Sequence, residues 1–159
     1  LCCDYRVQSE TGTFGLNEVQ LGIPVPKYWA KLFVSTAVDA RSAELALHRG
    51  TLLTPLEARA LGLINEICPH AALVAAAERA METLLKLPDG ARAATKLNIR
   101  GDFSREWEAF IEEEARDGWG MLCRDEVAGA LGAVIDKLSS RNKRTGGGER
   151  GKVEAVAKL

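Results

Sequence analysis

Glu18 is the only acidic residue in a short apolar run, residues 13–26, that Gly15 and Gly22 punctuate and that Pro24 and Pro26 close. The two prolines stiffen the exit from the run, so the chain must leave it in a fixed direction. A carboxylate in that setting has few favourable states. Desolvation by Phe14, Leu16, Val19, Leu21 and Ile23 disfavours the charged form and brings a carboxyl toward the range in which it can both take and give a proton. The structural alternative is that Glu18 caps or flanks the helix expected after Pro26, or lies on the wet face of a short strand. Pattern alone favours neither.

The rest of the chain reads as mostly helical. Residues 1–7 and 13–16 have the character of short strands, separated by the turn-like Gln8-Ser9-Glu10-Thr11-Gly12. Residues 27–37 compose a helix with Trp29, Leu32 and Phe33 on one side. Asp39 is a good N-cap for a helix that Gly50 stops. Thr54-Pro55-Leu56-Glu57 combines a cap, a first-turn proline and an acid three residues on, so another helix starts there and ends at Gly62. Residues 63–68 read as a strand closed by Pro69. Leu73, Ala77, Ala80, Leu84 and Leu87 form one stripe of a further helix. Asp89 caps a helix through Arg100; Phe103, Trp107, Phe110 and Ile111 mark a separate amphipathic segment, and Val127, Leu131, Val134 and Leu138 a last one. Trp119 stands between them in Gly118-Trp119-Gly120.

Composition excludes several classes. The four cysteines, Cys2, Cys3, Cys68 and Cys123, have no metal-ligand spacing, and His48 and His70 stand apart from them, so no metal site is expected. Packing in a reduced compartment accounts for the thiols, with at least one of Cys2 and Cys3 in a core. No run reaches the length of a membrane span. Residues 141–159 hold six Lys or Arg against two Glu, a balance that would suit nucleic acid or an acidic membrane. The segment 141–152 has no aromatic or aliphatic side chain, however, and reads as a flexible solvated linker, so no nucleic-acid partner is expected.

The run from Phe14 to Ile23, preceded by Cys3-Asp4-Tyr5-Arg6, resembles the second half of the crotonase superfamily, and within it the Δ3,Δ2-enoyl-CoA isomerases. The similarity continues through Arg41-Ser42-Ala43-Glu44, Pro55-Leu56-Glu57-Ala58 and the segment from Ala60 to Glu66. It implies an α/β fold, the second half of the crotonase ββα spiral with a helical C-terminal region. Residues 1–100 would form the C-terminal part of the core, 101–140 a helical region for oligomerisation, and 141–159 a basic tail. The chain opens inside a strand-like run without a methionine, so a piece of a longer protein is expected. The family's oxyanion-hole donors would then lie upstream.

The resemblance also implies chemistry. Glu18 would be the catalytic acid/base of an isomerase in fatty-acid β-oxidation, removing a proton at C2 of a 3-enoyl-CoA and returning one at C4. Asn17, Leu16, Phe14 and Phe110 would bind the acyl-CoA thioester, with Asn17 and Gln20 as weaker candidates for orienting Glu18. Arg92 and Lys96, four apart, could meet a CoA phosphate, although solvation is the commoner use of such residues. No cofactor is expected beyond the coenzyme A of the substrate, and a homo-oligomer, a trimer by resemblance, is the expected assembly. An enoyl-CoA hydratase is the alternative, disfavoured because Ile23-Pro24-Val25-Pro26 replaces a glycine-rich turn. An inactive assembly module is the alternative of another class. The terminal Ala157-Lys158-Leu159 resembles the peroxisomal Ser-Lys-Leu signal, implying a peroxisomal address and an import receptor as partner, with the mitochondrial matrix as the alternative.

Overall fold

The computed structural model describes residues 1–145, with the side chains of 138 and 141–145 outside that description. The expectations for Leu138, for the glycine-rich segment after Thr145 and for Ala157, Lys158 and Leu159 therefore fall outside it. Two strands and six α-helices follow one another: β1 (Val7–Ser9), α1 (Lys27–Thr36), α2 (Ala40–Arg49), α3 (Pro55–Ala60), β2 (Glu66–Cys68), α4 (Leu73–Leu85), α5 (Asp89–Leu122) and α6 (Asp125–Thr145). Single turns of 3-10 helix lie at Glu18–Leu21 and His70–Ala72.

β1 and β2 pair in parallel, Val7 opposite Glu66 and Ser9 opposite Cys68. Parallel strands need a crossover between them, and α1 to α3 supply it. The core lies inside that crossover, where Phe33, Ala43, Leu47, Leu53, Ala58, Leu63 and Ile64 bury one another. Two of the three crossover helices begin on a side-chain cap. Asp39 accepts from the N–H groups of Arg41 and Ser42, which starts α2. Thr54 and Glu57 form a reciprocal capping box that starts α3.

Several elements differ from the sequence expectation. Residues 1–6 and 13–16 are not strands. Phe14 makes one antiparallel bridge with Leu53 and no longer ladder, while the carbonyls of Cys2 and Cys3 accept from the guanidinium groups of Arg100 and Arg6 at 3.0 and 2.9 Å. With side-chain donors satisfying these groups, no neighbouring strand is required. Cys2 and Cys3 are both exposed, as is Cys123, so Cys68 alone of the four is a buried packing residue. On α1 the buried residues are Tyr28 and Phe33, and Trp29 faces outward. On α4 the inward position is Ala76 and Ala77 is exposed; the helix ends at Leu85, so Leu87 lies beyond it and is exposed as well.

The largest difference is α5. Instead of two segments it is one helix of 34 residues, continuous through Arg100 and through Gly118-Trp119-Gly120, with Asp89 as its first residue rather than its cap. A glycine in a helix interior costs only about 1 kcal/mol relative to alanine, too little to break a helix anchored by packing. That anchor is aromatic: Tyr28 of α1 meets Phe103 at 5.5 Å, Trp107 at 6.1 Å and Phe110 at 5.5 Å between ring centres. Among the described residues no helix is long and apolar enough to cross a membrane.

Candidate active site

The Glu18 segment is held as a turn from both ends. Upstream, Phe14 and Leu53 exchange both backbone hydrogen bonds at 2.8 Å. Gly15 passes so close to the segment before Leu53 that a Cβ would stand 2.6 Å from the Thr51 carbonyl oxygen. Downstream, the N–H groups of Gly22 and Ile23 donate to the carbonyls of Val19 and Glu18 at 3.2 and 3.1 Å, closing the 3-10 turn. Glu18 is thus neither a helix cap nor a strand residue, but the first residue of a tight turn.

Gln20 ties this turn to the end of α2. Its side-chain amide donates to the Gly50 carbonyl at 2.8 Å and reaches the Arg49 carbonyl at 3.3 Å. Gly50 has φ +60°, a conformation that L side chains avoid, and a Cβ there would lie 2.8 Å from Gln20 Cγ and 2.9 Å from Val19 Cγ2. The sequence reading gave Gln20 an orienting role toward Glu18; its side chain instead anchors the turn as a whole. Asn17 precedes the turn and makes no side-chain capping bond.

Glu18 itself is half-buried, and its Oε2 is fully covered with no hydrogen-bond partner among the described residues. Leaving a carboxylate oxygen covered and unpartnered costs free energy, so such an atom asks for a role. Glu114 also has a covered, unpartnered oxygen, but its other oxygen accepts from the Trp107 indole at 3.2 Å. Over the Glu18 turn lies α6, which folds back from α5 to pack against it. The sequence stripe marked Val127 as an inward residue of α6 but gave no sign of which element it would meet.

Leu16 and Phe14 are partly buried against the core beside the turn. Phe110 lies in the aromatic cluster between α1 and α5, with the Lys27 ammonium 4.3 Å from its ring centre. An apolar cleft of about 730 Å³ opens next to the turn, lined by Val19, Val25, Val34, Leu47, His48 and Phe103 among others; Glu18 is not on its wall. Arg92 and Lys96 border a second cavity but are engaged by protein groups. Lys96 and Arg100 bond Asp4 at 3.0 and 3.1 Å, and Arg92 bonds the Leu84 carbonyl and Asp89 at 3.0 and 3.2 Å. The Lys96 hydrogen bond, with the nearby positive charges, holds the Asp4 carboxyl below its usual range. Among the described residues no group of His, Cys, Asp and Glu could hold a metal ion.

The family model described as enoyl-CoA hydratase/isomerase matches residues 1–118. The chain belongs to this family. It is 32% identical over 143 residues to the mitochondrial enoyl-CoA delta isomerase 1 of Mus musculus, covering 89% of this chain and 49% of that protein. It is 34% identical over 114 residues to the mevalonyl-coenzyme A hydratase of Aspergillus fumigatus, covering 71% of this chain and 40% of that one. The human mitochondrial delta3-delta2-enoyl-CoA isomerase structure superposes with a TM-score of 0.79 at 26% identity, over 87% of this chain and 54% of that chain. The chain thus spans about half the length of the curated relatives it matches, and its crotonase fold is the one expected from the sequence. The peroxisomal address read from Ala157, Lys158 and Leu159 is corrected: the curated isomerase relatives from mouse, rat and human are all named as mitochondrial.

Proposed function

We propose that the protein is a Δ3,Δ2-enoyl-CoA isomerase of fatty-acid β-oxidation, with Glu18 as the residue that carries the proton and a mitochondrial site of action. The supporting observation is the covered, unpartnered Oε2 of Glu18 in a turn pinned at both ends, in a chain of the enoyl-CoA hydratase/isomerase family. The carboxylate takes the C2 proton of a 3-enoyl thioester, leaving a dienolate. The same carboxyl gives a proton to C4, and the double bond stands conjugated at C2–C3. Backbone N–H donors on the thioester oxygen must stabilise the developing charge. Phe14, Leu16, Asn17 and Phe110 are proposed as acyl-CoA contacts, with no cofactor beyond the coenzyme A of the substrate and a homo-oligomer as the working assembly.

Hydration is the second reading, favoured by the Aspergillus relative named as a hydratase. The full-length protein, assayed with a 3-enoyl-CoA by the absorbance of the conjugated thioester, separates the two. Isomer without 3-hydroxyacyl product is expected, and Glu18→Gln is expected to abolish it while preserving CoA-ester binding, because the amide keeps the shape and loses the base. A Glu18→Gln variant that retains turnover overturns the assignment.

A further inference from the structure

The turn that carries Glu18 stands on the end of α2. Gly50, which closes that helix, lies so near that a Cβ there would meet Asn17 Cα at 3.3 Å and Val19 Cγ2 at 2.9 Å, the residues on either side of Glu18. The core fixes Gly50 in turn. Its N–H donates to the Leu47 carbonyl at 3.1 Å and that of Thr51 to the Ala46 carbonyl at 2.9 Å, and Ala46 and Leu47 are both buried. The turn has little hold of its own. It is one 3-10 turn of four residues, none of them fully buried, and the Asn17 side chain does not cap it; so short a helix is marginal by itself. Gln20 supplies the hold. Although the residue is exposed, its side-chain amide bends back to donate to the Gly50 carbonyl at 2.8 Å and reaches the Arg49 carbonyl at 3.3 Å. Both partners are acceptors, so the contact requires a donor.

We infer that Gln20 is a positioning residue for the proton transfer: by donating to the end of α2 it fixes the turn, and with the turn the place of the Glu18 carboxyl, without bonding that carboxyl. The inference rests on Glu18 as the proton carrier. When the C2–H bond breaks, its electron pair enters the dienolate and the proton goes to Glu18; its return to C4 restores the carboxylate. One carboxyl must therefore reach two carbons of the same substrate from one place. A misplacement of about 1 Å can cost such a step roughly a hundredfold in rate. The Gln20 amide is turned to the carbonyls of α2, so its loss should fall on kcat and leave KM.

The test compares three variants. Gln20→Met keeps the length and loses the donor, Gln20→Glu sets an acceptor against acceptors, and Gln20→Lys keeps a donor that suits the negative end of α2. The full-length proteins are assayed with a 3-enoyl-CoA, with kcat counted per folded molecule. Gln20→Met and Gln20→Glu are expected to lose about tenfold or more in kcat at unchanged KM, and Gln20→Lys to stay within about threefold of wild type. A substrate-free readout stands beside it. The N–H groups of Gly22 and Ile23, bonded to the Val19 and Glu18 carbonyls, should exchange with D2O roughly fivefold faster in Gln20→Met and Gln20→Glu, and at the wild-type rate in Gln20→Lys. Wild-type exchange in Gln20→Met overturns the hold on the turn, and wild-type kcat in Gln20→Met overturns the positioning role. A Gln20→Lys protein as slow as Gln20→Met overturns it too, because the donor is then not what matters. A wild type that turns over no 3-enoyl-CoA overturns the isomerase reading instead, and the exchange pattern still decides whether Gln20 holds the turn.

Discussion

The side-chain amide of Gln20 donates to the Gly50 carbonyl at 2.8 Å, joining the turn that carries Glu18 to the end of α2 thirty residues away. This bond and the left-handed backbone of Gly50 work together, since only a glycine lets the turn come so close. Gln20→Ala removes one part-buried hydrogen bond, a loss of about 1 kcal/mol. Gly50→Ala should cost more: about 1–2 kcal/mol for the backbone conformation alone, with the clash against Gln20 and Val19 added. Urea unfolding of both variants checks the order. A Gly50→Ala protein as stable as Gln20→Ala would mean the turn relaxes freely from α2.

The capping box of α3 predicts a pH dependence with a definite sign. Glu57 accepts from the Thr54 backbone N–H at 2.7 Å and from the Thr54 hydroxyl at 2.8 Å. These bonds, the backbone one first, lower its pKa from the ordinary 4.5. A group depressed on folding contributes stability above its unfolded pKa and loses it as the pH falls through the folded one. Wild type should therefore exceed Glu57→Ala in stability at neutral pH, and the gap should close as the pH falls below 4.5. Urea midpoints of the two proteins at a series of pH values measure it, and a gap independent of pH would show that the carboxylate charge plays no part.

Such caps were legible in the sequence because they are local: Asp39, Thr54 with Glu57, and Gly50 each act within a few residues of themselves. The Glu18 segment was legible as a special place, through its glycines and prolines, but not as a 3-10 turn. Its conformation is set by Leu53, Thr51 and Gly50, far along the chain. For the same reason residues 1–6 passed for a strand, although their carbonyls are bonded by Arg6 and by Arg100, the latter 98 residues from Cys2. The unity of α5 was hidden because Phe103, Trp107 and Phe110 look like a segment of their own until Tyr28 is seen to lock them onto α1. Cover of the Glu18 turn by α6 had only the Val127 stripe as a signal, and a stripe does not name its partner.

Tyr28 joins α5 to the crossover helices, stacked on Trp107 with 7° between the ring planes. Tyr28→Ala should loosen α5 at a cost of about 3–5 kcal/mol, the range for truncating a buried aromatic side chain. Trp107 is half-buried whereas Trp29 and Trp119 are exposed, so the change should appear as greater acrylamide quenching and a red shift of the residual buried emission. Unaltered fluorescence and stability would show that α5 is held elsewhere.

Arg6 offers the sharpest separation of geometry from charge. Its Nε donates to the Leu63 carbonyl at 2.6 Å, one Nη to the Gly62 carbonyl at 3.3 Å and the other to Cys3 at 2.9 Å. Leu63 is wholly buried, and its carbonyl lies where the chain leaves α3 for β2. A guanidinium supplies these donors as one rigid fork; an ammonium carries the same charge on a single flexible point. Arg6→Lys should therefore destabilise the protein by about 1–3 kcal/mol, the cost of leaving part-buried acceptors unmet. The loss should persist in high salt, since screening weakens charge attraction far more than it affects hydrogen-bond geometry. Urea unfolding at low and high ionic strength distinguishes the two: a deficit that vanishes with salt would make Arg6 a source of charge, and a constant one would make it the clip between the start of the chain and the loop at Gly62 and Leu63.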